Sequence, residues 1–307
     1  MEVAISFFNN GENMQYQEAL QIYSLFEYVK RLGCQVQIID YNLYNQNKKN
    51  FLYNFLDDNT ILTSVRYNDI NEIREYPPLA DRYIFVNGDF SQLNICALDK
   101  DKCIAYGIKD INKDEIEKIE QKYEKVSTLF DIKDKNVTRC LDPMFLLDKN
   151  QWDEFSQKSN LKLDKNYILV YCNNVTKDIL EYSRKVARDQ KLYILADKMQ
   201  LTLFNGKRLK NIMPYDLVNL IKNSQDVITN CDDAIKLSII FDKNIHIILD
   251  EENDDNYKIE MINEYGLIDR VVNLNSDKLE DITDYTKADE KINSLKNITF
   301  DFIKEST

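Results

Sequence analysis

Histidine is almost missing from this chain, and glycine and proline are scarce. One histidine, His246, six glycines and four prolines serve 307 residues. With a single histidine the usual Cys/His zinc site is not expected. None of the six cysteines, Cys34, Cys96, Cys103, Cys140, Cys172 and Cys231, stands in CxxC spacing. They lie mostly in apolar runs, where a thiol behaves as a small buried hydrophobe. The glycines Gly11, Gly33, Gly88, Gly107, Gly206 and Gly266 build neither GxGxxG nor GxxxxGK(S/T), so the dinucleotide and P-loop fingerprints are absent. No apolar run reaches the roughly 18 residues of a membrane-spanning helix. The N-terminus, MEVAISFFNNGEN, has neither the basic start nor the long apolar stretch of a signal peptide. A cytoplasmic protein without a transmembrane segment is expected, with peripheral membrane contact left open. The net charge is −12, and no dense Lys/Arg patch is interleaved with aromatics, so no nucleic-acid partner is expected.

What is present is an alternation of β-rich runs and helical periodicities. The composition is 44% hydrophobic, ample for real cores. The most telling stretch is 225–249, QDVITNCDDAIKLSIIFDKNIHIIL, which reads as strand, turn, helix, strand. In a parallel α/β sheet the turn after a strand's carboxyl end is where ligands bind. Here that turn carries Thr229, Asn230, Cys231, Asp232 and Asp233, with no His, Arg or Lys. The same alternation opens the chain. Glu2–Phe8 reads as a strand, 9–13 as a polar turn, Gln15–Leu32 as a helix closed by Gly33, and Cys34–Asp40 as a second strand. A helix is expected over 43–56. Strands are expected at 82–87, 102–106 and 136–141, with a charged helix over 113–125. In the second half strands are expected at 166–172, 191–196, 226–229, 245–249 and 270–273. Helices are expected at 176–189, 214–224, near 257–265 and over 284–304, and Asn205-Gly206 reads as a turn. The reading is α/β, with two Rossmann-like lobes facing a cleft, 1–145 and 146–307, the second including the long C-terminal helix.

At this resolution of detail the chain resembles the polysaccharide pyruvyl transferase family. SFFNNGENMQYQEALQIYSLFEYVKRLGCQVQIIDYN, YIFVNGDFSQL, KCIAYGIKD, CLDPMFLLDKNQWDEF, NYILVYCNN and DLVNLIKNSQDVITNCDDAIKLSIIFDKNI match its segments in order. The resemblance implies a glycosyltransferase-B-like fold and pyruvyl transfer from phosphoenolpyruvate to a sugar or glycolipid acceptor in bacterial surface-polysaccharide synthesis. It implies no resident cofactor. It places substrate-binding residues at Asn10, Gly11, Asn13, Gly88, Asp89, Tyr106, Arg139, Thr229, Asn230, Cys231, Asp232 and Asp233, with Asp142 on the Asp-Pro segment. The family's central Thr-Asn-Ser-Phe-His-Gly reads Thr229-Asn230-Cys231-Asp232-Asp233-Ala234 here. The histidine position is therefore Asp233, and the family's Ser-Val-Arg-Glu falls near 126–129 without its Arg and Glu.

Pyruvyl transfer needs cations or helix N-termini for a carboxylate and a phosphate, and an acid to protonate the enol carbon. Asp232 and Asp233 set negative charge where that anion would sit. His246 lies mid-strand, as a core or sheet-face residue would. Arg139, Lys207 and Arg208 are the cations nearest to hand, and surface roles suit them better. Three readings follow: a pyruvyl transferase-like enzyme using other residues; an inactive or repurposed relative acting as a binding module; and a nucleotide-sugar glycosyltransferase. A divalent cation held by Asp232, Asp233 and Asp89 is a lesser variant, since adjacent carboxylates at a helix start ordinarily serve its dipole.

Overall fold

The computed structural model describes residues 1–7, 14–41, 51–68, 70–86, 99–109, 113–132, 134–199, 206–249, 256–274 and 283–307. The chain forms two compact units, Met1–Leu147 with Ile292–Thr307, and Asp148–Lys291.

The first unit contains β1 (Glu2–Phe7), α1 (Tyr16–Arg31), β2 (Gln35–Ile38), α2 (Phe51–Asn59), α3 (Ile70–Glu75), β3 (Arg82–Val86), β4 (Cys103–Ile108), α4 (Lys113–Glu120), β5 (Lys125–Thr128) and β6 (Val137–Arg139). The six strands are all parallel, in the order β2-β1-β3-β4-β5-β6. Parallel neighbours need crossover connections, which is why helices alternate with strands. Helix α1 starts where Glu18 turns back to accept the Gln15 amide, and Gly33 follows its end at φ 88°. Its Ala19, Leu20, Ile22, Leu25, Phe26 and Val29 are buried. The sheet packs Phe85, Ala105 and Val126 against Ile119 and Tyr123. β5 is a strand that the sequence reading leaves unassigned between the helix expected over 113–125 and the strand expected at 136–141. The charged helix stops at Glu120, and Val126, Ser127 and Thr128 then enter the sheet and are buried.

The second unit contains α5 (Lys149–Ser156), β7 (Tyr167–Tyr171), β8 (Asn174–Val175), α6 (Lys177–Ala187), β9 (Lys191–Leu195), β10 (Lys198–Met199), β11 (Gly206–Leu209), α7 (Pro214–Asn223), β12 (Asp226–Thr229), α8 (Asp232–Ile240), β13 (Asn244–Ile247), α9 (Asn256–Glu264) and the start of α10 (Thr286–Ser306). Its main sheet is parallel, in the order β11-β9-β7-β12-β13. Ile168, Val170, Ile194 and Ile228 fill the core with Ile179 and Leu180 of α6. Every residue of β7 is buried, which gives its unbroken apolar run.

Three expectations are corrected here. Gly206 begins strand β11 rather than a turn. A Cβ on it would come within 1.9 Å of the Leu192 carbonyl oxygen, so the close approach to β9 requires glycine. Residues 270–273 form no extended strand: a 3-10 turn at Ile268–Arg270 leads to a single bridge from Val271 to Ile247. The division falls after Leu147 instead of 145, and the second part of α10 clusters with the first unit. There Thr299 Oγ1 accepts the Leu141 amide (2.8 Å), Phe300 stacks on Tyr28 (4.9 Å) and Glu305 pairs with Lys125 (2.9 Å). The expected helix over 43–56 is seen from Phe51, its earlier part lying outside the described residues.

Candidate functional site

In open parallel sheets, ligands bind beyond the carboxyl ends of the strands where the connections diverge to opposite faces. In the first unit that point lies between β1 and β3. The segments that follow those strands hold Asn10, Gly11, Asn13, Gly88 and Asp89, all outside the described residues. In the second unit the chain order of the sheet is third, second, first, fourth, fifth, so the divergence falls between β7 and β12. There Cys172 and Asn173 leave β7, while Asn230 and Cys231 leave β12.

The two turns are tied to each other. Asn230, buried, accepts the Asn173 backbone amide through Oδ1 (3.0 Å), which leaves its NH2 as a donor group. Thr229, fully buried, uses Oγ1 to accept the Cys231 amide (2.9 Å). Cys231 precedes α8, and its thiol lies 3.5 Å from both Asn173 Oδ1 and Asn230 Oδ1. Burial, and then the Asp233 charge, push that thiol well above its ordinary value, so it is no nucleophile at neutral pH.

The two carboxylates behave differently. Asp233 is 2% exposed; it accepts from the Tyr171 hydroxyl (3.0 Å) and, through Oδ1, from the Ala234 amide (3.0 Å). Burial pushes its pKa up to about 6; the hydrogen bonds and Lys236 pull the other way, and Asp232 adds to the rise. Asp232 opens α8 with a side chain 10% exposed, 3.5 Å from the Lys258 ammonium. Its Oδ1 is buried and, among the described residues, accepts no hydrogen bond. Lys258, from α9, donates to the Asn230 carbonyl at 2.9 Å. Lys236, one turn along α8, is 0% exposed, and its ammonium lies 5.5 Å from the Tyr257 ring centroid.

This changes the electrostatic expectation. The turn itself has no cation, but the fold brings two lysines to its two aspartates. Asp232 has a lysine counter-charge rather than standing as bare negative charge. Sequence reasoning missed Lys236 and Lys258. Lys236 had a signal, as a charged residue among Ala234, Ile235, Leu237 and Ile239 on a helix buried all round. Lys258 had none, because only the packing of α9 brings it back to Asn230.

Other predicted residues lie apart. Tyr106 is a core residue of β4: every side chain of that strand is buried, and its hydroxyl donates to the Leu141 carbonyl (2.8 Å). Arg139, on β6, pairs with Asp131. Asp142 caps a 3-10 turn at Pro143–Leu146 and accepts from buried Gln21 (2.7 Å), which makes it a structural cap. Lys207 and Arg208 are exposed on β11. His246, third of the four residues of β13 and in register with Ile228, is 2% exposed, its ring between the Tyr182 hydroxyl at Nδ1 (2.8 Å) and Asp226, the first residue of β12, at Nε2 (3.2 Å). A cavity of about 790 Å³ in the first unit, lined by Phe26, Val36, Ile61, Tyr67, Tyr76 and Leu79, runs along edge strand β2. Among the described residues no group of three or more His, Cys, Asp or Glu is placed to hold a metal, and no helix is long and apolar enough to cross a membrane.

No protein-family model matches the sequence, and no curated protein matches it. Solved structures do. The UDP-GlcNAc 2-epimerase of Methanocaldococcus jannaschii, in complex with UDP-GlcNAc and UDP, is 11% identical at a TM-score of 0.55, covering 97% of this chain and 100% of that one. The enzymes of the same name from Rickettsia bellii and Neisseria meningitidis are both 10% identical. The first has a TM-score of 0.51 and covers 99% of this chain and 98% of its own. The second has a TM-score of 0.52 and covers 100% and 94%. At such identities the likeness is one of architecture: this is an α/β protein of two Rossmann-like lobes with the glycosyltransferase-B-like fold.

Proposed function

We propose that the second unit binds a nucleotide sugar at the divergence of β7 and β12, and that the protein acts on that ligand as a glycosyltransferase-type enzyme. The observation that carries this reading is the turn pair Cys172-Asn173 and Asn230-Cys231 at the carboxyl edge, beside the start of α8. A helix start offers amide donors and a positive dipole end to a diphosphate. The Asn230 NH2 adds a donor, and Lys236 and Lys258 offset the two carboxylates that would otherwise repel the ligand. The UDP complexes among the similar structures favour a uridine nucleotide as the first ligand to try. They lend no support to phosphoenolpyruvate as donor, although the pyruvyl transferase resemblance keeps it worth a parallel titration.

A second reading, binding without turnover, is favoured by one fact. The only histidine has both ring nitrogens occupied, by Tyr182 and by Asp226 at the start of β12, rather than turned to the turn pair. Calorimetric titration with UDP and UDP-GlcNAc, alongside phosphoenolpyruvate, tests the ligand. Saturable binding of the uridine nucleotides alone is expected. Binding of phosphoenolpyruvate alone would restore pyruvyl transfer, and binding of none would overturn the nucleotide-sugar reading. Release of UDP from UDP-GlcNAc over hours then separates enzyme from binding module.

A further inference from the structure

We infer that Asp232 is an internal competitor for the anionic group of the ligand, and that it thereby sets which ligands the second unit accepts. The inference rests on the nucleotide-sugar reading above. Asp232 is the first residue of α8, so its carboxylate sits at the positive end of the helix dipole. Its neighbour Asp233 has both oxygens hydrogen-bonded, to Tyr171 and to the Ala234 amide. Asp232 has no such closure. Its Oδ1 is buried without a hydrogen bond, and the Lys258 ammonium stands 3.5 Å away, beyond good hydrogen-bond geometry. Lys258 makes its shorter contact with the Asn230 carbonyl, at 2.9 Å. Among the described residues Asp232 is therefore held by the Lys258 charge rather than by a hydrogen bond.

A phosphate group carries more acceptor oxygens than a carboxylate and makes stronger charge-assisted bonds with the same helix start and the same ammonium. It can replace the Asp232 contact, which a neutral sugar cannot do. The residue thus raises the threshold for entry: strongly anionic ligands displace it and weakly anionic or neutral ones do not.

The test is UDP titration of the full chain carrying Asp232→Asn, with Glu260→Gln as control. Glu260 is exposed on α9 and its change alters net charge equally. Asp232→Asn is expected to bind UDP at least tenfold more tightly than the unmodified protein, with Glu260→Gln unchanged. Asp232→Ser, which suits a helix start, serves if the Asn variant does not fold. Equal or weaker UDP binding by a folded Asp232 variant, while the unmodified protein binds, overturns this inference alone. An equal gain in Glu260→Gln also overturns it, since bulk charge would then be the cause. If none of the proteins binds UDP, the ligand reading falls first and takes this one with it.

Discussion

The two ends of strand β12 carry similar chemical groups in opposite circumstances. At the amino end, Asp226 meets His246 and Asn244, and His246 meets Tyr182. At the carboxyl end, Asp232 and Asp233 meet Lys258 and Tyr171. The amino-end set contains the His, Asp and Tyr that acid–base chemistry favours, yet each is spent on joining α6, β12 and β13. The carboxyl-end set contains the less promising residues, yet it has the buried acceptor without a hydrogen bond and the raised carboxyl pKa. Residue type alone does not locate a site. In a parallel sheet, position relative to the point of divergence does, because helix starts collect at one edge only.

The largest expected effect breaks the carboxyl end. Lys258→Met leaves Asp232 without its counter-charge in a buried setting, which costs about 3–5 kcal/mol. Urea unfolding should register this loss, and adding Asp232→Asn to the same chain should recover part of it. Full additivity of the two changes would mean that the ion pair contributes nothing.

The amino end is broken by His246→Leu, which removes a partner from Tyr182 and from Asp226 at a cost of about 2–3 kcal/mol. UDP affinity should stay unchanged in this variant. A parallel loss of affinity would show that the two ends are coupled, and the contrast between them would fail.

The smallest effect sharpens the contrast through pH. The pKa of Asp233, about 6, lies above the ordinary aspartate value, so its neutral form favours the folded state. The stabilisation is fully present below about pH 4 and is lost as pH rises through 6. Asp233→Asn fixes the neutral state and keeps an acceptor for Tyr171, but it loses the Ala234 amide contact. It should stabilise the protein by about 1–2 kcal/mol at pH 8, with no gain at pH 4. Equal effects at both pH values would place the ionisation of Asp233 outside that window.

Much of the architecture was legible along the chain. Apolar runs such as YILVY, the Gly33 that follows α1 and the Pro that starts α7 mark elements through backbone geometry and burial, which act locally. Legibility failed where a neighbour decided the outcome. Gly206 reads as a turn until β9 is placed beside it. Thr299, Phe300 and Phe302 give no sign of belonging with residues near Leu141, Tyr28 and Tyr106. Tyr106, a substrate-binding residue by the resemblance, ends the strand expected at 102–106, but the strand continues to Ile108 and keeps it inside.

The sequence by itself determined the alternation of strand and helix, the two-lobed α/β class and the turn 229–233 as the place to look. These follow from side-chain period and from which residues start or stop a helix, and both are written in adjacent positions. The tertiary structure alone decided the charge of that turn. Lys258 reaches Asn230 and Asp232 only through the packing of α9, and Asp233 acquires its raised pKa chiefly through burial. Desolvation and ion pairing depend on distances in space, which no local pattern of residues specifies.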